Sequence, residues 1–132
     1  MSKPKSLPYL SRTDLESMSI STDEVISTIE HLIHGLVESR TWNAPKAVIT
    51  PPDGRYMMAT LSASDDPPYL AVKSLVLNPK NKDKGLSDIN SLVTLLDSET
   101  GVPLAVIDGN WITAIRTAGL SAVAAKRLAR DD

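Results

Sequence analysis

The chain has 132 residues, of which 42% are hydrophobic, and this combination predicts one globular domain with a hydrophobic core rather than a disordered segment. Its 14 Lys and Arg against 16 Asp and Glu give a formal net charge of −2, and its only aromatic residues are two Trp and three Tyr, which argues against a nucleic-acid-binding surface. The polar start, the lack of a long apolar run and the absence of cysteine predict a cytoplasmic protein with no membrane partner, disulfide or thiolate metal site.

Two capping-box patterns predict helices in the first 40 residues, after a lead-in over 1–8 whose prolines and lysines favour a flexible segment. The first pattern, TDLE at 13–16, predicts a short helical turn. The second, STDE at 21–24, precedes an amphipathic helix over about 22–39. The apolar residues of that helix recur at spacings of three and four: Val25, Ile26, Ile29, Leu32, Ile33, Leu36 and Val37.

The middle of the chain alternates in the way that is typical of antiparallel strands. Strands are predicted at 46–50, 55–61, 69–77, 91–96 and 104–107. The turn residues PPDG at 51–54 and DSETG at 97–101 each join two of them in a hairpin. The polar stretches 62–68 and 78–89 are expected to be loops.

The last segment, about 110–130, predicts one helix that is rich in small residues and ends in basic ones, which suit a helix C-terminus. The order of elements therefore indicates an α+β fold: a mostly antiparallel sheet of about five or six strands, with an N-terminal amphipathic helix and a C-terminal small-residue-rich helix. One layer of helices covers only one face of such a sheet. The other face or an edge then needs a partner, and a homodimer is expected.

Lys73 is the most informative single residue, because it lies in the strand YLAVKSLVL and shares a face with apolar residues such as Leu75. A buried lysine is costly unless an anion accompanies it, which favours an anion site. The alternative is an edge-strand lysine that reaches solvent. Arg116, beside Thr117 on the last helix, suits carboxylate or phosphate recognition, or is simply an exposed arginine. Lys46, after Pro45, is a third and weaker candidate.

The remaining polar clusters predict no site. His31 and His34 lie three residues apart, but no cysteine or carboxylate at ligand spacing completes a metal site. Lys80, Lys82 and Lys84 alternate with Asn and Asp, which is typical of a solvated loop. No glycine-rich phosphate-binding motif occurs in the sequence.

An ordered set of short motifs in the second half of the chain is shared with one known family. The motifs are AVK at 71–73, Asn81, GL at 85–86, TGVPLA at 100–105, DG at 108–109 and TAIRTAGLSAVAA at 113–125. From about Tyr9 onward the chain closely resembles the ornithine cyclodeaminase/μ-crystallin family. The resemblance implies NAD(P)-dependent enzymes of amino acids or cyclic imino acids, or hormone-binding μ-crystallins. It also implies a substrate-binding and dimerisation domain followed by a Rossmann domain.

The same resemblance assigns the candidate site. The family's strand lysine falls on Lys73 and its carboxylate-binding arginine, which also approaches the cofactor, falls on Arg116. The basic residue after the first hairpin's proline, usually arginine, is Lys46. Lys73 is then the catalytic residue, which stabilises or exchanges a proton with the substrate's carbonyl or imine. Thr117 and Asp88 complete the implied cofactor contacts, although Asp88 replaces a hydroxyl residue and would repel a cofactor phosphate.

Two departures from the family narrow the expected function. Tyr56 stands where cyclodeaminases carry a glutamate, which favours a dehydrogenase or imine reductase over ornithine cyclisation. The chain also has about half the family's length and ends where the first Rossmann strand is expected. Residues 9–132 are therefore predicted to be the substrate-binding and dimerisation half of an NAD(P)-dependent enzyme, without turnover alone. The alternative is a non-catalytic module that binds a small ligand or only dimerises.

Overall fold

A computed structural model describes residues 6–129, which form a mixed sheet and three helices. The strands are β1 Tyr9–Leu10, β2 Thr41–Asn43, β3 Ala47–Ile49, β4 Tyr56–Asp65, β5 Pro68–Leu77, β6 Ile89–Asp97 and β7 Pro103–Asp108. The helices are α1 Arg12–Ser17, α2 Thr22–Val37 and α3 Gly109–Leu128, and Pro79–Lys84 form a 3₁₀ helix. The α+β class, the mostly antiparallel sheet and both long helices are confirmed. Within the described part of the chain, no helix is both long and apolar enough to cross a bilayer.

The sheet is built around the long hairpin of β4 and β5. The strand order is β1-β7-β6-β5-β4-β2, and β3 also pairs with β4. Every pairing is antiparallel except that of β1 with β7, which is parallel. The sheet thus has seven strands rather than five or six, because β1 and β2 are too short to show the alternation that marks a strand in a sequence.

Helices α2 and α3 cover one face of the sheet, and the hydrophobic core lies beneath them. Leu75, Val93 and Ala105 point to this face and are buried there, and Val123 of α3 is buried as well. The two helices pack closely at Gly119, where an added Cβ would lie 2.7 Å from Ile29 Cδ1. We call this side of the sheet the helix face.

The opposite side of the sheet, which we call the open face, carries apolar residues that no element of residues 6–129 covers. Adjacent strands place several of them on this side, according to the strand register. Between 38% and 53% of each of these residues is exposed: Trp42, Met57, Leu61, Leu92 and Leu104. An apolar face of this kind marks an interaction site.

The helix ends differ slightly from the predicted ones. The capping box at Ser21 is confirmed, with the Ser21 hydroxyl accepting from Glu24 N and the Glu24 carboxylate accepting from Ser21 N. The first capping box was placed wrongly: the N-cap of α1 is Ser11, whose partner is Asp14. In the last turn of α3, Arg127 donates to Glu30 Oε1 over 3.1 Å and links α3 to α2. Arg130 and residues 1–5 of the predicted lead-in lie outside the described residues.

The predicted loop over 62–68 was wrong. Strand β4 continues through Ser62 and Ser64 to Asp65, and β5 begins at Pro68. The stretch is polar because Ser62 and Ser64 point to the helix face beside β2, where they line a cavity rather than contact the apolar core. The other strands lie within a few residues of their predicted bounds.

Candidate functional site

Lys73 occupies the centre of the helix face. It pairs with Thr60 on β4 and with Val93 on β6, so its side chain lies between the sheet and α3. Its neighbour Leu75, two residues on, is buried on the same side, whereas Lys73 itself is half-buried. The lysine is therefore on an interior strand, and the edge-strand alternative is wrong.

Two further cations lie near enough to Lys73 for their charges to act on it. The pKa of Lys73 is lowered, first by burial of its ammonium and then by the positive charges of Arg116 and Lys46. Arg116 comes from α3, and Lys46 directly precedes β3, whose Ala47 pairs with Ala59 on β4. The fold thus brings together three basic residues that are far apart in sequence.

None of the three cations has an internal counter-ion. Within residues 6–129, no carboxylate lies within ion-pairing distance of Lys46, Lys73 or Arg116. Arg116 and Lys46 are exposed, so an anion can reach them from solvent. Like charges that are held together and partly desolvated favour binding of an anion, because the anion removes their mutual repulsion.

Arg116 also forms part of the wall of a cavity of about 360 Å³ between α2, β4 and α3. The lining is mostly aliphatic, with a polar margin from β2 and β4: Ile29, Leu32, Ile33, Leu36, Thr41, Asn43, Ser62, Ala63, Ser64, Pro67, Tyr69, Arg116 and Leu120. Thr41 is only 7% exposed, and its hydroxyl has no hydrogen-bond partner. The sequence pattern did not predict this cavity, although the alternating Ser62 and Ser64 were a usable signal.

Thr117 lines a second, wider groove on the other side of α3, of about 580 Å³. Small and hydroxyl-bearing residues form its walls: Ser87, Ile89, Asn110, Thr113, Ala114, Thr117, Ala118 and Ser121. The Thr117 hydroxyl donates to the Thr113 carbonyl over 2.7 Å, which leaves its oxygen free to accept one further hydrogen bond from the groove. Arg116 and Thr117 are adjacent in sequence, so α3 directs Arg116 to the cavity and Thr117 to the groove.

Asp88 lies beside the same groove, directly after Ser87. One of its carboxylate oxygens pairs with Lys82 Nζ at 3.0 Å, and the other, Oδ1, is buried without a partner. The ion pair partly neutralises the carboxylate, which reduces the repulsion that a nearby phosphate would meet.

The histidines make local contacts. His31 Nε2 lies 3.0 Å from the Asp66 carbonyl and 3.3 Å from its carboxylate, which Arg40 also approaches at 3.5 Å. The described residues contain no group of three or more His, Cys, Asp or Glu that could hold a metal ion. Of the loop lysines, Lys82 has the contact with Asp88 described above.

Known proteins share both the sequence and the fold. The chain is 34% identical over 123 residues to the alanine dehydrogenase of Archaeoglobus fulgidus, an alignment that covers 92% of this chain and 36% of that enzyme. The structure matches Thermococcus litoralis Delta(1)-pyrroline-2-carboxylate reductase, solved with NADH and L-proline, with a TM-score of 0.89, 37% identity and coverage of 96% of this chain. It also matches an archaeal alanine dehydrogenase dimer with bound NAD, with a TM-score of 0.86, 31% identity and coverage of 94% of this chain.

The shared part is nearly all of this chain but a minor part of each relative. It spans 36% of the curated alanine dehydrogenase, 39% of the solved reductase and 38% of the solved dehydrogenase. The family model for ornithine cyclodeaminase/mu-crystallin proteins matches residues 9–132. With nearly all of its length matched, the chain belongs to the ornithine cyclodeaminase/mu-crystallin family.

Proposed function

We propose that residues 9–132 are the substrate-binding and dimerisation domain of an NAD(P)-dependent dehydrogenase, reductase or cyclodeaminase that acts on an amino acid or imino acid. The observation that carries this proposal is the unpaired cation cluster of Lys46, Lys73 and Arg116, in which the pKa of Lys73 is lowered. A cluster of positive charges suits a small anion, and the relatives act on or bind small carboxylates such as alanine and proline. We therefore take the anion to be a small carboxylate.

The three cations have different roles in this proposal. The planar guanidinium of Arg116 binds both oxygens of the substrate carboxylate, and the ammonium of Lys46 adds a single charge without that forked geometry. Lys73 donates a hydrogen bond, or a proton, to the carbonyl or imine group beside the carboxylate. Its lowered pKa suits this role, because a less basic ammonium gives up its proton more readily.

In this proposal the groove beside Thr117 and Asp88 receives part of the cofactor. The two matching structures described above were solved with NADH or NAD, and bound nicotinamide supplies or accepts the hydride. Asp88 follows Ser87 of the groove wall, and Lys82 pairs with one oxygen of its carboxylate. Thr117 and Arg116 would face the cofactor from α3. Because the chain spans under two fifths of its relatives, we expect no turnover from the 132 residues alone.

The open face favours a homodimer. It exposes Trp42, Leu61 and Leu92 on one side of the sheet, which a second copy of the same sheet can cover with a self-complementary contact. One of the matching structures is described as a dimer. A cytoplasmic location stays a prediction from the cysteine-free sequence.

Carboxylate titration tests the proposal. L-Alanine and L-proline are titrated into the purified chain by calorimetry, with Lys73→Met and Arg116→Met as site variants and Lys84→Met, in the exposed 3₁₀ helix, as the matched control. We expect each site variant to weaken binding at least tenfold, because Arg116→Met removes the carboxylate's partner and Lys73→Met removes the positive charge beside it. The control should bind as the unmodified chain does. Unchanged affinity in both site variants would contradict the proposed carboxylate site.

A further inference from the structure

We propose that Lys73 is a site of reversible carbamate formation, at which its amine takes up carbon dioxide and the new anion is held by Arg116 and Lys46. The reactant is a small neutral molecule, and the product is a covalent modification of the lysine. This modification lies beyond the proposed function, because it requires no substrate, no nicotinamide and no turnover.

The reaction uses the amine of Lys73 and carbon dioxide alone. The neutral amine attacks the carbon atom: a nitrogen–carbon bond forms, and the electron pair of one carbon–oxygen double bond moves onto oxygen. The nitrogen then releases one proton to solvent, and no oxidant or reductant is consumed. The product is a planar anion with two oxygens, similar in shape to a carboxylate, at the end of the lysine chain.

The position of Lys73 favours the neutral amine that this reaction needs. The residue lies on an interior strand, where its neighbours across the sheet, Thr60 on β4 and Val93 on β6, are uncharged, and it is half-buried. Burial and the charges of Arg116 and Lys46 lower its pKa. At a given pH, a larger fraction of this lysine is therefore unprotonated than of an ordinary exposed lysine.

The charges around Lys73 also favour the product. Carbamate formation replaces the positive charge of the lysine with a negative one, so the two cations that repelled its ammonium then attract it. The guanidinium fork of Arg116 matches a planar anion with two oxygens. Within residues 6–129, no carboxylate pairs with Lys46, Lys73 or Arg116, so the new anion displaces no internal one.

Two lysines of the 3₁₀ helix illustrate the contrast. Lys82 Nζ lies 3.0 Å from the Asp88 carboxylate, so a carbamate on Lys82 would face a negative charge. Lys84 follows Asp83 directly in the chain. Both lysines are exposed, whereas Lys73 is half-buried. Lys84 is therefore a suitable internal comparison for Lys73.

NMR and chemical trapping test the proposal. The purified chain is equilibrated with ¹³C-labelled bicarbonate, and the carbamate signal is recorded by NMR. Triethyloxonium then converts carbamates to stable ethyl esters, which are located by peptide mass spectrometry. We expect the ester on Lys73 and none on Lys84. The N-terminal amine of the chain, whose ordinary pKa is about 8, is the positive control for the trapping.

The pH and the residue at position 116 should both control the yield. At a fixed concentration of dissolved carbon dioxide, the trapped fraction of Lys73 should rise with pH, because only the neutral amine reacts. Arg116→Met should lower this fraction about tenfold, because it removes an anion partner and also raises the pKa of Lys73. Arg116→Lys keeps the charge without the fork and should retain part of the yield. Lys84→Met, the matched control, should leave the yield unchanged.

The outcomes separate this modification from the proposed function. An ester on the N-terminal amine with none on Lys73 would overturn the proposal, as would equal trapping in Arg116→Met and in the unmodified chain. Either result leaves the proposed function in place if calorimetry shows that L-alanine or L-proline binds. Conversely, a carbamate on Lys73 in a chain that binds neither amino acid would support the modification and contradict the proposed function. The unmodified chain alone decides where a variant does not fold.

Discussion

Arg116 on α3 lies close enough to Lys73 on β5 for its guanidinium to lower the pKa of the lysine's ammonium. The two residues come from a helix and from the strand beneath it, and no carboxylate of residues 6–129 pairs with either. Without a ligand, the positive charges of Lys73 and Arg116 repel each other, and a bound anion offsets this repulsion. The predictions below follow from this arrangement and from the packing that maintains it.

The first prediction concerns the charge coupling. Arg116→Met should raise the pKa of Lys73, because the charge of Arg116 lowers this pKa more than that of Lys46 does. Lys46→Met should raise the pKa by less. Burial, the first cause of the lowered pKa, persists in both variants, so neither should restore the ordinary value fully. NMR of the labelled lysine Nζ against pH measures the effect, with Lys84→Met as a control that leaves it unchanged. A pKa of Lys73 that is insensitive to residue 116 would contradict the cluster.

The second prediction concerns stability against pH. The pKa of Lys73 is lower in the folded state than the ordinary 10.5, so between those two values the unfolded chain binds more protons. The free energy of unfolding then rises with pH in that window. Lys73→Met should therefore be more stable than the unmodified chain at neutral pH, and the difference should shrink as pH approaches 10.5. Urea unfolding at several pH values checks this; a difference that grows with pH would have the wrong sign.

The third prediction compares two glycines of α3. A Cβ on Gly109 would lie 2.6 Å from the Ser91 carbonyl carbon and 2.7 Å from its oxygen, which are backbone atoms that cannot move aside. Gly109→Ala should therefore cost about 1–3 kcal/mol of unfolding free energy. Gly119→Ala meets only the side-chain ends of Ile29 and Val25 and gains up to about 1 kcal/mol of helix propensity, so its cost should be smaller. Chemical denaturation of both variants decides the order, and equal costs would contradict it.

The fourth prediction concerns the open face. Leu61→Glu places a charge within this apolar surface, where Leu61 is 53% exposed, and should convert the expected dimer to a monomer. Val37→Glu, on the exposed side of α2, is the matched control and should leave the dimer intact. Sedimentation velocity at tens of micromolar measures both. An unmodified chain that sediments as a monomer would refute the proposed dimer.

Periodicity and turn residues predicted most of the fold, because the long helices and the strands of the two main hairpins each carry enough residues to show a pattern. Strands of two or three residues, such as β1 and β2, carry no such pattern and are defined only by their pairing partners. The predicted loop over 62–68 failed because Ser62 and Ser64 line a cavity, and a polar strand face has the composition of a loop.

The cation cluster was only partly predictable from the sequence. Lys73 stood out, because a lysine among apolar strand residues is costly to bury. Its closeness to Arg116 depends on how α3 crosses the sheet, which no local pattern encodes and which the family resemblance alone implied. The ion pair of Asp88 was not predicted, because Lys82 was assigned to a solvated loop. The turn at Gly85, directly after the 3₁₀ helix, returns the chain so that Lys82 and the Asp88 carboxylate lie 3.0 Å apart.

The central claim is that Arg116 binds the substrate carboxylate beside the ammonium of Lys73, and the pKa of Lys73 tests it most directly. Its Nζ signal is titrated against pH without ligand and with saturating L-proline. A bound carboxylate stabilises the charged ammonium, so we predict that the ligand raises the pKa of Lys73. Arg116→Met binds the carboxylate more weakly, so the pKa of Lys73 should rise much less in this variant at the same ligand concentration. A ligand that binds and leaves the pKa of Lys73 unchanged would contradict the account.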